Sequence, residues 1–368
     1  MIATLGRFAR EQIVELAAAA AAAAFLLSGR VTWDRARSAI DVDLLLLLFA
    51  LLVTVDILRR SGYIDSMIAG VVRRFSSTRA FAAVAIGASG LLAALLTNDV
   101  ALFAIIPVTV IASRISDFDV EDAVVLQVIA ANLIGCLTPL GNPQNLFIYH
   151  QSGWDAGRFV ITMAPFVVWN AIGLGAALMF VGRSRPMTIA PIELPSRSRP
   201  AAIAGTICFA LVVLDILHVL DAWIAAIAAA VAGVSFLKRK LKDVDLSIIP
   251  LFFFAFIVVE GLRTFDVIAS FSSDIYAMSI LLSQVISNVP ATILLTPTAT
   301  SWPPLLYGVN AGGCGTIIAS LANLLGWRIY VRESNRDPRF FWRLTAINFA
   351  FLIWAGAGGW LLLRLVLT

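Results

Sequence analysis

The chain has 368 residues, 60% hydrophobic and 14% charged, with a net charge of +4 and a mean hydropathy of +0.92. Soluble domains sit near half apolar and a quarter charged, so a water-soluble fold is excluded; a bilayer accommodates such a surface because the solvent around its helices is itself apolar. The basic residues stand in short stretches between apolar runs, which excludes a nucleic-acid partner, and Cys136, Cys208 and Cys314 all lie in apolar segments, which argues against a disulfide framework.

In chain order, apolar runs fall at 12–28, 42–58, 80–96, 100–113, 122–149, 158–182, 200–217, 220–237, 247–262, 275–297, 303–327 and 344–366. Their Leu, Ala and Ile content predicts an all-α polytopic membrane protein of about 10–12 membrane segments, not the short alternating strands of an outer-membrane barrel. The run Leu16–Leu27 behind Arg7 and Arg10 has the look of a signal-peptide core. No small-residue cleavage site with a polar mature start follows, so it reads as the first membrane helix, with cleavage a minor alternative. The stretch 183–199 holds three prolines and four arginines and divides the chain into a first half, 1–182, and a second half, 200–368.

Lys and Arg in the loops set the orientation. With the N-terminus in the cytoplasm of a bacterium, the inner side carries Arg59, Arg60, Arg73, Arg74 and Arg79, the 183–199 arginines, Lys238–Lys242, and Arg328, Arg332, Arg336, Arg339 and Arg343. The outer side keeps only Arg30, Arg35, Arg37, Arg158, Arg263 and Arg364. The chain is thus placed in the inner membrane.

The two halves repeat. The segment 132–146 matches 310–324 at a constant offset, with Asn132/Asn310, Gly135/Gly313, Cys136/Cys314, Thr138/Thr316, Asn145/Asn323 and Leu146/Leu324 identical. Upstream, Thr97-Asn98-Asp99 has a looser counterpart in Ser287-Asn288-Val289, and Val55-Asp56 in Val259-Glu260. The helix ending at Asp56 runs towards the inner arginines, whereas the one ending at Glu260 leaves the Lys238–Lys242 cluster, so the repeats are inverted, an arrangement typical of secondary transporters.

Each half should interrupt its membrane helices twice. The first places are Thr97-Asn98-Asp99 and Ser287-Asn288-Val289-Pro290; the second are 135–145, with Pro139, Gly141 and Pro143, and 312–323, with Gly312, Gly313 and Gly315. Broken backbone inside a bilayer is tolerated only within protein or beside a watery cavity. There it frees carbonyls for a cation and exposes half-helix N-termini to an anion. The 97–99 and 287–290 segments read as tips of re-entrant hairpins; the alternative is ordinary spans joined by a tight turn. Asp99 stands out, because a mid-membrane carboxylate costs at least ~2.5–3.5 kcal/mol. It reads as a proton- or sodium-binding group, with capping of the helix beginning at Val100 as the plainer role. Asp56 and Glu260 read equally as interfacial ion pairs with Arg59 and Arg263 or as gating residues. Asp215, His218 and His150 read as ordinary residues near outer turns. Cys136 and Cys314 flank glycines where helices approach closely; a thiol contact to a soft metalloid is the less favoured reading.

At these motifs, Thr-Asn-Asp at 97–99, Gly-Asn-Pro-Gln-Asn at 141–145, Ser-Asn-Val-Pro at 287–290 and Gly-Gly-Cys-Gly-Thr at 312–316 ending in Asn323, the sequence resembles the ion-transporter superfamily of arsenite permeases, NhaD-type sodium/proton antiporters and citrate or dicarboxylate transporters. It looks most like the shorter YbiR-type bacterial members, from about Asp41 to the C-terminus. The resemblance implies two re-entrant hairpins, two discontinuous helices and elevator-like alternation. It implies that Thr97, Asn98 and Gly135 shape one ion site and Ser287, Asn288 and Thr316 another, and relatives of this architecture often form homodimers. The sodium-coupled carboxylate members read Ser-Asn-Thr at both tips; Thr-Asn-Asp and Ser-Asn-Val here favour a proton, or one sodium at Asp99.

The ion- or substrate-binding set expected is therefore Thr97, Asn98, Asp99, Gly135, Thr138, Asn142, Asn145, Ser287, Asn288, Gly313, Thr316 and Asn323, with no catalytic or metal-ligating residue and no cofactor beyond a coupling proton or Na+. The partners expected are a small inorganic or organic anion and the lipid bilayer. Function reads as coupled transport of an oxyanion, metalloid or carboxylate, with sodium/proton antiport as the alternative. An intramembrane enzyme lacks any His-Glu-x-x-His, paired aspartates or serine–base arrangement, and a passive channel does not call for a duplicated inverted site.

Overall fold

Backbone amides inside a bilayer find no water, so long apolar runs close their hydrogen bonds within helices. The structure, a computed structural model, describes residues 13–63, 66, 77–116, 120–180, 196–216, 219–238, 244, 246, 248–264, 274–334 and 339–366, and forms helices without a strand among them. Most of the linker 183–199, His218, Arg73, Arg74, 239–242 and Arg336 lie outside the described residues. Among the described residues five helices are long and apolar enough to cross a membrane, or six with one bent pair counted as a span, and shorter apolar helices accompany them.

The chain packs as two units. One comprises 1–57, 203–273 and 293–298. In it α1 (Ile13–Leu27) leads to the short α2 (Trp33–Ala39), capped by Thr32, whose Oγ1 accepts from Arg35 N. A 52° bend follows into α3 (Val42–Arg60), where Asp41 accepts from Leu44 N at 3.0 Å. The unit is completed by most of α9 (Arg199–Ile216), by α10 (Ala222–Ala232), which passes into a π turn at Gly233–Leu237, and by α11 (Ile248–Leu262). α1 lies along α11 with the Phe25 ring over Gly261, where an added Cβ would fall 2.3 Å from that ring. Ala22, Val31, Ala36 and Ile257 make the core beside it. The expected Glu260–Arg263 pair forms at 3.0 Å, and Asp56 is buried in α3.

The other unit, 58–202, 274–292 and 299–368, holds the repeated motifs at 97–99 and 287–289 and at 132–146 and 310–324. Its first half runs α4 (Thr78–Leu95), α5 (Asn98–Ser116), α6 (Val120–Leu133), α7 (Pro143–Ser152) and α8 (Ala156–Leu178). Its second runs α12 (Ile275–Ile286), the start of α13 (Asn288–Leu295), α14 (Trp302–Gly312), α15 (Leu321–Ser334) and α16 (Arg339–Val366). α4 and α5 fold back on each other across Leu96 and Thr97. α12 and α13, at 12 and 8 residues, are about 18 and 12 Å long, too short for a hydrocarbon core of about 30 Å, as a re-entrant segment requires. The arms of the first tip are longer, 18 and 19 residues. Large apolar side chains such as Ile161, Ile353 and Val285 stand exposed on the outer helix faces, as a lipid-facing surface requires. The protein is a multi-pass membrane protein.

Candidate functional site

The runs 122–149 and 303–327, each mostly apolar, are both broken. After α6 the chain makes two 3₁₀ turns, Gly135–Leu137 and Pro139–Gly141, and re-enters helix at Pro143, whose ring suits a first helical turn. Glycine is obligatory here: a Cβ on Gly141 would fall 1.8 Å from the Gly135 carbonyl oxygen, and one on Gly135 2.7 Å from Ala93 Cβ. In the second half α14 ends at Gly312, Gly315 takes φ +107°, and helix resumes at Leu321. Both places coincide with the breaks read from the sequence.

The two breaks meet through buried amides, and four of the bonds across the halves form two twin pairs. Asn132 Nδ2 donates to Asn323 Oδ1 at 3.0 Å, and Asn310 Nδ2 to Asn145 Oδ1 at 2.7 Å. Asn142 Nδ2 donates to Asn310 Oδ1 at 3.4 Å, and Ser320 Oγ, at the position matching Asn142, to Asn132 Oδ1 at 3.0 Å. Within each half the pattern recurs: Asn145 Nδ2 donates to Cys136 O at 3.2 Å, and Asn323 Nδ2 to Gly313 O at 2.9 Å and Thr316 O at 3.1 Å. Gln144 Nε2 adds a bond to Asn310 Oδ1 at 3.3 Å. Reciprocity of this kind, where i meets j′ and i′ meets j, defines a two-fold relation.

A second pair of contacts fixes its direction. Trp169 of α8 and Trp354 of α16 stack at 4.7 Å, and each indole donates to the other's carbonyl, at 3.0 and 3.2 Å. The Trp169 indole covers Gly358, and the Trp354 indole covers Gly173. As the chain advances from 169 to 173 its partner retreats from 358 to 354, so α8 and α16 are antiparallel and the repeats are inverted.

The tips flank the breaks. Thr97 and Asn98 are buried and hydrogen-bond within their own turn, Thr97 Oγ1 accepting from Val100 N at 3.4 Å and Asn98 Oδ1 from Asp99 N at 2.9 Å. The side-chain cap at Val100 is thus Thr97, and half-buried Asp99 sits in the first turn of α5. Thr138 Oγ1 donates to Ala94 O, tying the first break to the arm of its tip. In the second half Ser287 has φ +73° and ψ 152°, a region a side chain rarely enters and one that costs of order 1–3 kcal/mol. Ala319 O accepts from Asn288 N at 2.9 Å and Ser287 Oγ at 3.4 Å, and Asn288 Nδ2 lies 3.0 Å from where a Cβ on Gly313 would be.

Of the expected site residues, then, Asn142, Asn145, Gly313, Thr316 and Asn323 share the central cluster, Gly135 and Thr138 hold the first break against α4, and Ser287 and Asn288 lie on the second break. The first-tip side chains of Thr97 and Asn98 do not join the cluster. The family model described as CitMHS, citrate transporter, matches residues 8–310. The chain belongs to this citrate transporter family. Its relatives share most of its length: transporter MJ0456 of Methanocaldococcus jannaschii is 36% identical, over 77% of this chain and 79% of its own, and inner membrane protein YbiR of Escherichia coli is 32% identical, over 89% and 88%. The YdaH transporter of Alcanivorax borkumensis, whose structure is described as having an unusual topology, superposes with a TM-score of 0.53 over 86% of this chain and 84% of that one, at 15% identity, a likeness of fold alone.

For this member of the citrate transporter family, reading the sequence missed several residues. Asn132 and Asn310 were visible as identities but not as site residues, and Ser320 and Gln144 complete their cluster. Trp169 and Trp354 were signalled by a shared Trp-x-x-x-Gly, ending at Gly173 and Gly358. Gln284, an amide in an apolar helix one turn before Ser287, bonds Thr316 through both its side chain and its main chain: Thr316 N donates to Gln284 Oε1 at 2.9 Å and Thr316 Oγ1 to Gln284 O at 3.0 Å.

Proposed function

We propose that the protein is a secondary active transporter of a small anion, an oxyanion, metalloid or carboxylate, coupled to protons or sodium by alternating access. The observation that carries this reading is the pair of two-fold-related helix breaks meeting through buried amides. An inverted pair of equivalent elements gives two states of similar energy, open to opposite sides, from one packing scheme. The breaks present the N-termini of α7 and α15, where backbone N–H groups favour negative charge, and the family's description as citrate transporters agrees with an anionic substrate. Thr97, Asn98, Asp99 and Gly135 form the first ion site, with Asp99 as the group that takes the proton or sodium. Ser287, Asn288, Gly313 and Thr316 frame the second.

The protein resides in the bacterial inner membrane, in keeping with YbiR, with a cytoplasmic N-terminus and as a homodimer. In proteoliposomes, uptake of a labelled substrate chosen from citrate, dicarboxylate, sulfate and arsenite panels should follow an imposed pH or sodium gradient. Asp99→Asn should lose gradient-driven uptake by at least tenfold while melting as the native protein does. Uptake indifferent to both gradients removes the coupling. Sodium/proton antiport is the second reading, favoured by the lone carboxylate at the first tip; it predicts sodium-driven proton movement with no anion requirement.

A further inference from the structure

The two breaks are tied to their tips by the same bond, but the residue receiving it differs. Thr138 Oγ1 donates to the main-chain carbonyl of Ala94, and Thr316 Oγ1 to that of Gln284. Ala94 and Gln284 are therefore structural equivalents, each four residues ahead of its tip asparagine, Asn98 or Asn288. Ala94 stops at Cβ. Gln284 extends into the break, where its Nε2 lies 2.8 Å from Gly312 O, 3.0 Å from Cys314 O and 3.2 Å from Ile280 O. Gly315 makes room for it: a Cβ there would fall 2.1 Å from Gln284 Oε1. In the first half the matching pair, Ala94 and Leu137, contributes no polar side-chain atom.

Three carbonyl oxygens converging on one point form a cradle of the kind that holds a hard monovalent cation. An amide NH2 also presents positive hydrogens to such oxygens, and it has two hydrogens for three acceptors. It does so without an ion, and its Oε1 is satisfied at the same time by Thr316 N. We infer that Gln284 is a tethered substitute for a cation at the second break, so that transport is coupled through the first half alone and Gln284 sets the stoichiometry at one ion. The inference rests on the transporter reading. It deepens that reading by adding Gln284, opposite Ala94, to the difference between the halves that Asp99, opposite Val289, already makes.

The test is thermal melting of the purified full chain in lipid nanodiscs, with NaCl, LiCl or KCl exchanged for choline chloride at constant ionic strength and pH. Gln284→Ala removes the substitute. It should melt lower than the native protein in choline and gain a saturable, cation-selective rise in Tm beyond any that the native protein shows. A folded Gln284→Ala whose melting responds to the salts as the native protein does overturns the inference. Gln284→Glu decides the matter if the alanine variant does not fold. Ionised, it has no hydrogen to give the carbonyls; protonated, it has one. It should therefore melt higher at pH 5 than at pH 8 and recover at pH 8 with a monovalent cation. Melting indifferent to pH and cation, or failure to fold even at pH 5 in sodium, overturns the proposal. None of these readouts needs a substrate. A native protein without coupled uptake would sink the transporter reading while leaving the melting result to stand, and coupled uptake with no gained response would sink only the role of Gln284.

Discussion

Asn310 bears the most connections in the central cluster: its Oδ1 accepts from Asn142 and Gln144, and its Nδ2 donates to Asn145 Oδ1 and Leu306 O. Asn310→Ala strands several buried groups at once, at about 1–3 kcal/mol for each one left unmet. It should lower the melting temperature well beyond the effect of Asn310→Asp, which keeps the acceptor; equal melting of both would show that the cluster does not hold the halves. The identities at 132, 145, 310 and 323 were legible in the sequence because a constant spacing links them. Their use was not. Each amide bonds one from the other repeat, and which pairs form depends on where the two-fold axis passes, a property of assembled helices that no single segment records. From the sequence alone Asn142, Asn145 and Asn323 read as ligands, whereas each also bonds an asparagine of the opposite repeat.

Among the elements, the breaks were the most legible features, since Gly and Pro crowded into an apolar run oppose a continuous helix. The tips were legible as positions but not in conformation. Ser287 turns the chain in one residue at φ +73°, where glycine fits without strain. Ser287→Gly should keep or raise thermal stability despite losing the long bond to Ala319 O, while Ser287→Val should lower it by about 1–3 kcal/mol; a valine variant as stable as the native chain would show the tip is not strained. Arg343 reads in the sequence as one more cytoplasmic charge. In the fold it grips the first turn of α6, with Nε and Nη2 each 2.8 Å from an Asp122 oxygen and Nη1 3.3 Å from Glu121. The carboxylates there suit a helix N-terminus, and the planar fork suits a carboxylate. Hydropathy sees the charge of such a residue and not its partner, because the two lie more than two hundred positions apart.

For the whole molecule, inversion was legible from loop charges and is visible independently in the reversed register of α8 and α16. It has a consequence for labelling. The native thiols Cys136, Cys208 and Cys314 are buried, so the wild-type chain in intact cells should react little with a membrane-impermeant maleimide. With a cytoplasmic N-terminus, Asp155→Cys, at the turn before α8, should label from outside, and Arg339→Cys, at the start of α16, only after the membrane is opened. Labelling of both from the same side would refute the orientation.

The tryptophan seam ties the history of one half to that of the other. Each indole rests on a glycine belonging to the opposite copy and lends its N–H to the opposite main chain. Enlarging either glycine therefore cannot be repaired nearby; the remedy lies 181 positions away for Gly173, at Trp354, and 189 for Gly358, at Trp169, in the matching helix of the other repeat. The duplicated halves are free to diverge in their loops and tips, as Ala94 and Gln284 have, but along this seam they must change in step or part.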